Sequence, residues 1–448
     1  NYHDIALLAD MEQGWNTPEK IRISVKKAIE NGINVIHIED QGEKKRCGHL
    51  GDKELNTYDD FALILKSANL AAQELLGTEQ AYKQYVRFVA RTDAYSAKRI
   101  TNSANLYDVH NDEHVFVDWD KGTSDDGKYL YLKQGINPET GRLWGLDLSI
   151  QRGAKVVDQG LASHIWMETP DADLATAKAF IEGVNDILIP KGKIAYGLYN
   201  HSPSFDWDVK FFAEAEPFAK RIAYYVENEV IQNANSFNDD FIAMNRTLEP
   251  SYRQGLEQIV SKAIKEKGSS IQGDHLFTKE NIHKITNYCI DYIKGKDYWE
   301  ENINNIINQS KNTNHDIYTM ALQEKNNGFN PRQHIANVIV DQRLSNFSRM
   351  LASFGFNMHL ITLPEFHITA FNMHKLSNDF SINGINAFVK YTQRPERILS
   401  ENDPTYTYYK HQTATGTGVE AAFSEAVGSS NVNMLSDSTE SDDLKKRS

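Results

Sequence analysis

The sequence predicts an α/β fold, a (β/α)8 barrel of the TIM type, from three observations. Short apolar runs recur along the chain, helical patterns separate them, and a polar or charged residue follows each run. The alternation of strands and helices implies parallel strands joined by right-handed crossovers. In such a barrel the functional groups lie at the carboxyl ends of the strands. The polar residues that follow the apolar runs are therefore the candidates for a shared site.

The predicted elements follow one another regularly through the first half of the chain. Thr17-Pro18 opens the first helix, because proline is preorganised for a first helical turn, and Asn31-Gly32 ends it. A second helix is predicted near 58–76, and its apolar positions include Phe61, Leu65, Leu70 and Leu75. Further helices are predicted near 146–159 and 171–184, and strands at 5–9, 33–38, 86–90, 164–167, 194–199 and 358–361.

Changes in composition divide the chain into four parts. Residues 1–227 form the catalytic barrel domain, in which the Asp-, Asn- and Gly-rich stretch 104–143 is a loop or hairpin excursion. Residues 228–345 are rich in Asn, Lys and Glu and lack strand signals, so they predict a helical insertion. Residues 346–435 supply the final barrel strands and C-terminal helices, and 436–448 form a polar tail.

The start of the chain is abrupt. Asn1 stands where a native protein begins with Met, and an apolar run follows within a few residues. We therefore expect that upstream sequence, including the N-terminal strands of the barrel, is missing.

Composition narrows the class of protein and its partners. The 448 residues are 40% hydrophobic and 24% charged, as in ordinary globular proteins, and the net charge of −13 argues against nucleic acid as a partner. No apolar stretch is long enough to span a membrane, so no membrane partner is expected. Two cysteines do not make a disulfide framework, which indicates a reducing compartment such as the cytoplasm.

The run Lys45-Arg46-Cys47-Gly48-His49 is the most informative motif. It places a thiol between cations and an imidazole, and cationic neighbours lower the pKa of a thiol. Gly48 leaves room for a substrate to approach. Solvated lysines around a small core cysteine remain the alternative interpretation of these five residues.

Carboxylates at the first two strand ends suit a metal ion. Asp10, Glu12 and Glu39 are oxygen donors of the kind that Mg²⁺ prefers, and Mg²⁺ keeps several of its waters. Arg91, after a third strand, can hold a carboxylate through two parallel bonds or form an ion pair with Asp93.

The remaining strand ends add polar groups. Glu168 follows the strand at 164–167, and Thr362 follows the strand at 358–361. Asn200, Ser202 and Ser204 lie on a turn that suits a bound carboxylate, although an ordinary capping turn has the same composition.

Taken together, these motifs resemble the isocitrate lyase family of the phosphoenolpyruvate mutase/isocitrate lyase superfamily, in a larger form with a helical insertion. The Lys45–His49 run fits the family signature Lys-[Lys/Arg]-Cys-Gly-His. Further matches are Ala9–Gly14, Glu39–Gln41, Arg91–Ala94, Trp166–Thr169, Asn200–Trp207, Ile361–Leu363, His411-Gln412 and Gly416–Gly418.

The resemblance implies a role for each matching residue. Asp10 would ligate Mg²⁺ directly, with Mn²⁺ as an alternative ion, and Glu12 and Glu39 would hold its waters. Cys47 would protonate the departing succinate carbanion when isocitrate, a small tricarboxylate, is cleaved to glyoxylate and succinate. The residues that would support proton movement or contact the substrate are Lys45, Gly48, His49, Arg91, Glu168, Asn200, Ser202, Ser204 and Thr362. The family also implies a homotetramer and a place in the glyoxylate bypass.

Two other functions stay open at the level of sequence. 2-Methylisocitrate lyases share the Lys-Arg-Cys-Gly-His run, and one methyl group is worth only about 1–3 kcal/mol in a pocket. The second alternative is an inactive or truncated paralogue that serves as a subunit partner. The Ser-Gly-Trp segment that family members carry upstream is absent from this chain.

Overall fold

The computed structural model describes residues 6–42, 45, 51–169, 174–202, 205–225, 279–311 and 331–403, and a few residues outside these ranges (257–258, 260–261, 318–319, 322, 325–326, 328, 330, 405–406, 408 and 426). The chain separates into two compact units. The first extends to Thr362 and the second starts at Leu363.

The first unit is built on a parallel sheet. In chain order the strands are β1 (Leu8–Asp10), β2 (Val35–Glu39), β3 (Glu54–Leu55), β4 (Arg87–Thr92), β5 (Arg99–Thr101), β6 (Tyr129–Tyr131), β7 (His164–Met167), β8 (Tyr196–His201) and β9 (Phe356–Ile361). Six of them form one sheet in the order β1-β2-β4-β7-β8-β9, and every neighbouring pair is parallel.

This strand order confirms the predicted α/β class and corresponds to part of a TIM-type barrel. Each strand of the large sheet pairs with the next one along the chain, as barrel strands do. Within the described residues the sheet has six strands, with β1 and β9 at its edges. The predicted excursion at 104–143 contributes β6, which pairs antiparallel with β5 in a small second sheet with β3.

Helices cover the sheet between its strands. They are α1 (Pro18–Glu30), α2 (Tyr58–Leu76), α3 (Glu79–Tyr85), α4 (Trp144–Asp158), α5 (Leu174–Leu188), α6 (Trp207–Tyr225), α7 (Lys279–Ser310), α8 (Pro331–Ser345) and α9 (Phe347–Phe354). Helix α2 has the predicted bounds, and Thr57 caps it by accepting a hydrogen bond from the Asp60 amide. Of its predicted apolar positions, Phe61 and Leu65 are buried, whereas Leu70 and Leu75 are exposed. Alanines such as Ala68 and Ala72 complete the buried face.

The largest hydrophobic cluster joins helices from distant parts of the chain. It contains Phe180 of α5, Phe211 of α6, Ile285 of α7 and Ile339 of α8. Residues of the predicted insertion thus pack on the barrel helices. The boundaries proposed at 228 and 345 stay predictions, since 226–256 and 262–278 lie outside the described residues.

The second unit is helical where it is described. It contains α10 (Pro364–Asn383), α11 (Ile385–Phe388), a π-helical turn (Val389–Gln393) and α12 (Arg394–Asn402). No residue of α10 is buried, although Phe366, Phe371 and Ile382 are large and apolar. In the part of the chain that the structure describes, no helix is both long enough and apolar enough to cross a membrane.

Candidate active site

Six of the predicted site residues form a connected series of charges at the carboxyl ends of β1, β2, β4 and β7. Lys45 Nζ lies 3.1 Å from Glu12 Oε1 and 3.5 Å from Glu39 Oε1. Arg91 Nε lies 3.4 Å from Glu39 Oε2, and Arg91 Nη2 lies 3.6 Å from Glu168 Oε2. Asp10 completes the series beside Glu12. The structure therefore brings together side chains that are up to 158 positions apart in the sequence (Asp10 to Glu168).

Backbone contacts fix the acidic end of this series. The Glu12 amide donates to Asp10 Oδ1 over 2.8 Å, and the Glu12 carbonyl accepts from the Glu39 amide over 2.8 Å. Glu12 adopts a φ of 50°, a left-handed conformation that costs a non-glycine residue about 1 kcal/mol or more. This strained turn holds the side chains of Asp10, Glu12 and Glu39 on the same edge of the sheet.

His37 contacts Asp10 and helps to hold its carboxyl in place. Its Nδ1 lies 3.1 Å from Asp10 Oδ1, and its ring packs 4.8 Å from the ring of Trp166. Burial lowers the pKa of His37, so its ring is neutral and donates a hydrogen bond from Nδ1–H to Asp10. Burial raises the pKa of the Asp10 carboxyl, but the hydrogen bonds from His37 and from the Glu12 amide outweigh it. The pKa of Asp10 is therefore below its usual range, and this half-exposed carboxyl is ionised at neutral pH.

Glu39 is the most unusual group of the series. Its side chain is fully buried, and neither carboxyl oxygen accepts a hydrogen bond from the described residues. Its nearest opposite charges, Lys45 and Arg91, form ion pairs with it at 3.5 and 3.4 Å but donate no hydrogen bond to either oxygen. Burial therefore raises the pKa of Glu39 to about 7, with Asp93 and Asp10 adding to the rise and both cations opposing it.

Arg91 is held rigidly behind Glu39. It donates from Nε and Nη2 to the two oxygens of Asp93 over 3.0 and 3.1 Å, and its guanidinium lies 4.3 Å from the centre of the Trp166 ring. The ion pair with Asp93 that the sequence left open is thus present. Burial lowers the pKa of Arg91, but Asp93, Glu168 and Glu39 outweigh it and raise that pKa above its usual range. Arg91 is a fixed cation at this edge of the sheet.

A second layer of buried charged residues lies beneath the site. The sequence did not predict it. Asp93 also accepts from Lys53 Nζ over 2.7 Å, and its amide donates to Asp40 Oδ1 over 2.9 Å. Asp40 Oδ2 accepts from Arg152 Nη1 over 2.6 Å, and Arg152 donates to Glu113 through Nε and Nη2. The Asp40–Arg152 contact spans 112 positions of sequence, so no local pattern could have revealed it.

Asn200, Ser202 and Thr362 mark the ends of β8 and β9. Thr362 Oγ1 donates to Asn200 Oδ1 over 2.5 Å, and the Thr362 amide donates to the His201 carbonyl. Ser202 is buried directly after β8. At the amino ends of the same two strands, Gly197 allows close pairing, because a Cβ at this position would lie 2.3 Å from the Phe356 ring.

Several predicted residues lie outside the described part of the chain. They are Arg46, Cys47, Gly48, His49 and Ser204, together with the segments His411-Gln412 and Gly416–Gly418. Lys45 is described and lies at the site, so the chain reaches the acidic residues two positions before Cys47. The role of Cys47 as an acid stays a prediction.

The donors at this edge suit a cation that keeps most of its water. Among the residues that the structure describes, no three His, Cys, Asp or Glu side chains are placed to chelate one ion. Mg²⁺ does not require such a set, because it commonly binds one or two carboxylates directly and retains its other waters. The half-exposed Asp10 and the buried Glu39 oxygens without hydrogen bonds fit that mode.

Comparison with known proteins points to the isocitrate lyases. The model of the isocitrate lyase family matches residues 108–228. The chain is 32% identical over 217 residues to isocitrate lyase of Corynebacterium glutamicum, and 34% identical over 202 residues to isocitrate lyase 1 of Mycobacterium tuberculosis. The chain is related to the isocitrate lyases. The resemblance seen in the motifs is thereby confirmed.

The relationship covers part of each protein. The two matches span 48% and 45% of this chain, and 43% and 40% of the respective isocitrate lyases. A bifunctional glyoxylate cycle protein of Caenorhabditis elegans is 32% identical over 45% of this chain and 18% of its own length. The chain therefore spans less than half the length of these curated relatives.

The solved structures that match are more distant in sequence. Oxaloacetate acetylhydrolase in complex with 3,3-difluorooxalacetate has 18% identity and a TM-score of 0.28, over 60% of this chain and 72% of that one. 2,3-Dimethylmalate lyase has 17% identity and a TM-score of 0.29, over 60% and 71% of the two chains. At such scores the likeness says nothing about function, and the fold rests on the strand pairing itself.

Proposed function

We propose that this chain carries a Mg²⁺-dependent lyase site that cleaves isocitrate to glyoxylate and succinate. The relationship to the isocitrate lyases supports the reaction class. The observation that carries the proposal is the Glu39 carboxyl, which is buried among Lys45, Arg91 and the Asp10–Glu12 turn with no hydrogen bond to either oxygen. Burying a carboxyl that accepts no hydrogen bond is costly, so we infer that a hydrated cation and the substrate supply the missing contacts.

In this proposal Asp10 would hold Mg²⁺ directly, and Glu12 and Glu39 would hold its waters. When bound, Mg²⁺ or Mn²⁺ would act as a Lewis acid that stabilises negative charge on the C2 oxygen of isocitrate. Lys45 lies between Glu12 and Glu39 and offsets part of their negative charge. The carboxylates on either side raise the pKa of Lys45, although burial lowers it, so Lys45 stays charged.

The chain's own groups then direct the bond cleavage. A base removes the proton from the C2 hydroxyl, the C2–C3 bond breaks, and its electron pair moves to C3 of the departing succinate. Arg91 provides fixed positive charge for a substrate carboxylate, and such preorganised charge is worth most in a site that excludes water. Cys47 returns a proton to C3, with Lys45, His49 and Glu168 supporting proton movement.

The ends of β8 and β9 would hold the other end of the substrate. Asn200 and Thr362 already share a hydrogen bond, so their polar groups are oriented before any ligand binds. Ser202, Ser204 and Gly48 would complete the contacts. In this proposal the bond that breaks lies near the ends of β1, β2 and β4. The residues that position the substrate lie near the ends of β8 and β9.

Glyoxylate release from isocitrate, measured with and without Mg²⁺, tests the proposal. The decisive pair of variants is Cys47→Ser and Cys289→Ser, because Cys289 is the only other cysteine and is buried in α7. We expect Mg²⁺-dependent glyoxylate release that falls by about 100-fold or more in Cys47→Ser and persists in Cys289→Ser. Undiminished release by Cys47→Ser would refute the acid role.

The same assay separates the competing functions. Faster turnover of 2-methylisocitrate than of isocitrate would reassign the substrate. A folded chain that assembles but releases no glyoxylate would support the role of a subunit partner.

We also propose that the chain assembles as a homotetramer. Contiguous exposed apolar surface in a folded protein commonly marks an interaction site. Helix α10 exposes Phe366, Phe371 and Ile382, the last with 80% of its surface accessible. Light scattering on the purified chain tests the assembly, and a monomeric mass at micromolar concentration would refute it.

A further inference from the structure

A cavity lies at the opposite edge of the sheet from the candidate active site. Its volume is about 520 Å³, and its lining includes Arg87, His164 and Tyr196, the first residues of β4, β7 and β8. The candidate site lies at the other ends of these strands. A strand of six residues such as β4 is about 20 Å long, so the two places are separate. We call this space the amino-end cavity.

The amino-end cavity is cationic in an acidic protein. Its lining contains Lys83, Arg87 and Lys193 but neither Asp nor Glu, although the chain carries a net charge of −13. Arg87 is exposed, and the only hydrogen bond of its side chain among the described residues goes to the Val86 carbonyl over 3.4 Å. Within the described ranges no carboxylate lies within ion-pair distance of it. Its charge is therefore available to a ligand.

The two lysines form ion pairs at the surface. Lys83 contacts Glu79 and Lys193 contacts Asp158, over 2.5 and 2.7 Å, and both pairs are open to solvent. Exposed pairs of this kind contribute about 0–1 kcal/mol, so either ammonium group can turn towards an anion at little cost.

The walls of the amino-end cavity are apolar and aromatic. Phe88, Leu161 and Ile194 line it, and the ring of Tyr196 lies 5.6 Å from that of His164. Burial and the neighbouring Arg87 lower the pKa of His164 to about 4. His164 is thus a neutral hydrogen-bonding group at pH 7, and its Nδ1 contacts Ser163 Oγ over 2.9 Å.

We propose that the amino-end cavity binds a small organic carboxylate, with its headgroup at Arg87 and an apolar or aromatic body against Phe88 and Tyr196. Pockets of about 300–1,000 Å³ with apolar walls and a few polar groups are the usual form of small-molecule sites. A guanidinium without a carboxylate partner supplies the specificity for an anion. This inference concerns a second site and does not depend on the lyase activity.

Calorimetric titration with benzoate and with benzamide, its neutral counterpart of the same shape, tests the proposal on the intact chain. The key variant is Arg87→Gln, which changes an exposed side chain and leaves the core intact. Arg22→Gln is the matched control, because it removes the same charge from an exposed arginine on α1 that pairs with Glu74. Ile194→Trp fills the mouth of the cavity from an exposed position.

We expect benzoate to bind about tenfold or more tightly than benzamide, since a charge-assisted hydrogen bond is worth about 1.5–3 kcal/mol. Arg87→Gln should abolish that preference, Arg22→Gln should keep it, and Ile194→Trp should weaken both ligands. Three results would each overturn the proposal: no binding of benzoate, equal affinity for the two compounds, or unchanged benzoate affinity in Arg87→Gln.

Discussion

Glu39 and Asp40 are neighbours at the end of β2, and both carboxyls are fully buried, yet their surroundings differ completely. Asp40 accepts hydrogen bonds from Thr92 Oγ1, Arg152 Nη1 and the Asp93 amide, over 2.6, 2.6 and 2.9 Å. Glu39 accepts none from the described residues. Successive side chains of a strand point to opposite sides, so one carboxyl enters the protein's own network and the other faces the candidate site.

This difference distinguishes a carboxyl that stabilises the fold, Asp40, from one that we expect to take part in the reaction, Glu39. A buried carboxylate whose hydrogen bonds are all made by the protein stiffens its surroundings and has little left to offer a ligand. A buried carboxylate without them destabilises the free protein, and such groups are typical of functional sites. The Asp40 side is therefore the scaffold that positions Arg91 through Asp93, and the Glu39 side is where we expect chemistry.

The largest effect is expected on the scaffold side. Arg152→Met should lower the free energy of unfolding by about 3–5 kcal/mol, because it leaves the buried carboxylates of Asp40 and Glu113 without their cation. Urea denaturation measures this. Arg22→Met removes an exposed ion pair with Glu74 and should cost about 1 kcal/mol or less. Equal losses in the two variants would contradict the comparison.

Asp93→Asn should give a smaller, pH-dependent loss. Burial raises the pKa of Asp93, but Arg91 and Lys53 outweigh it and hold that pKa well below its ordinary value of 3.8. The stabilisation is therefore present above pH 3.8 and is lost as the pH falls below it. We expect a loss of about 2–3 kcal/mol at pH 7 that shrinks towards pH 3. Unfolding curves across this pH range provide the check, and a loss independent of pH would contradict the account.

Glu39→Gln should stabilise the metal-free chain. The folded pKa of about 7 lies above the ordinary 4.5, so Glu39 lowers stability progressively as the pH rises from about 4.5 to 7. We expect a gain of about 1–2 kcal/mol at pH 8 that disappears below about pH 4.5. Asp40→Asn, the same change one position later, should instead destabilise at both pH values. A destabilising Glu39→Gln at pH 8 would break the comparison.

Thr362→Val should have the smallest effect on stability. Loss of its hydrogen bond to Asn200 should cost about 1 kcal/mol and raise the KM for isocitrate about fivefold with little change in kcat. Thr101→Val is the control, because Thr101 also makes one hydrogen bond, to the Leu55 carbonyl in the small sheet. Thr101→Val should lower the free energy of unfolding by a similar amount and leave KM unchanged. If Thr362→Val also left KM unchanged, Thr362 would have no role in substrate binding.

Much of the fold was predictable because it depends on local patterns. Apolar runs and helix signals place β2, α2, β4 and β7 within two residues of their observed bounds, and the residue after each run locates the site. The second layer was not predictable, because Arg152, Lys53 and Glu113 meet Asp40 and Asp93 only through the tertiary fold. The sequence singled out Glu39 at the end of this strand, and the hydrogen bonds show how its surroundings differ from those of Asp40.

Calorimetric titration of the chain with Mg²⁺ tests the central claim most directly, with Asp10→Asn as the variant and Asp52→Asn as the control. Both changes remove one half-exposed carboxylate, but Asp52 pairs with Arg99 beside the small sheet. We predict one Mg²⁺ site per chain, weakened about tenfold or more by Asp10→Asn and unchanged by Asp52→Asn. No Mg²⁺ binding in the millimolar range, or equal affinity in the wild type and Asp10→Asn, would contradict the assignment of this edge of the sheet.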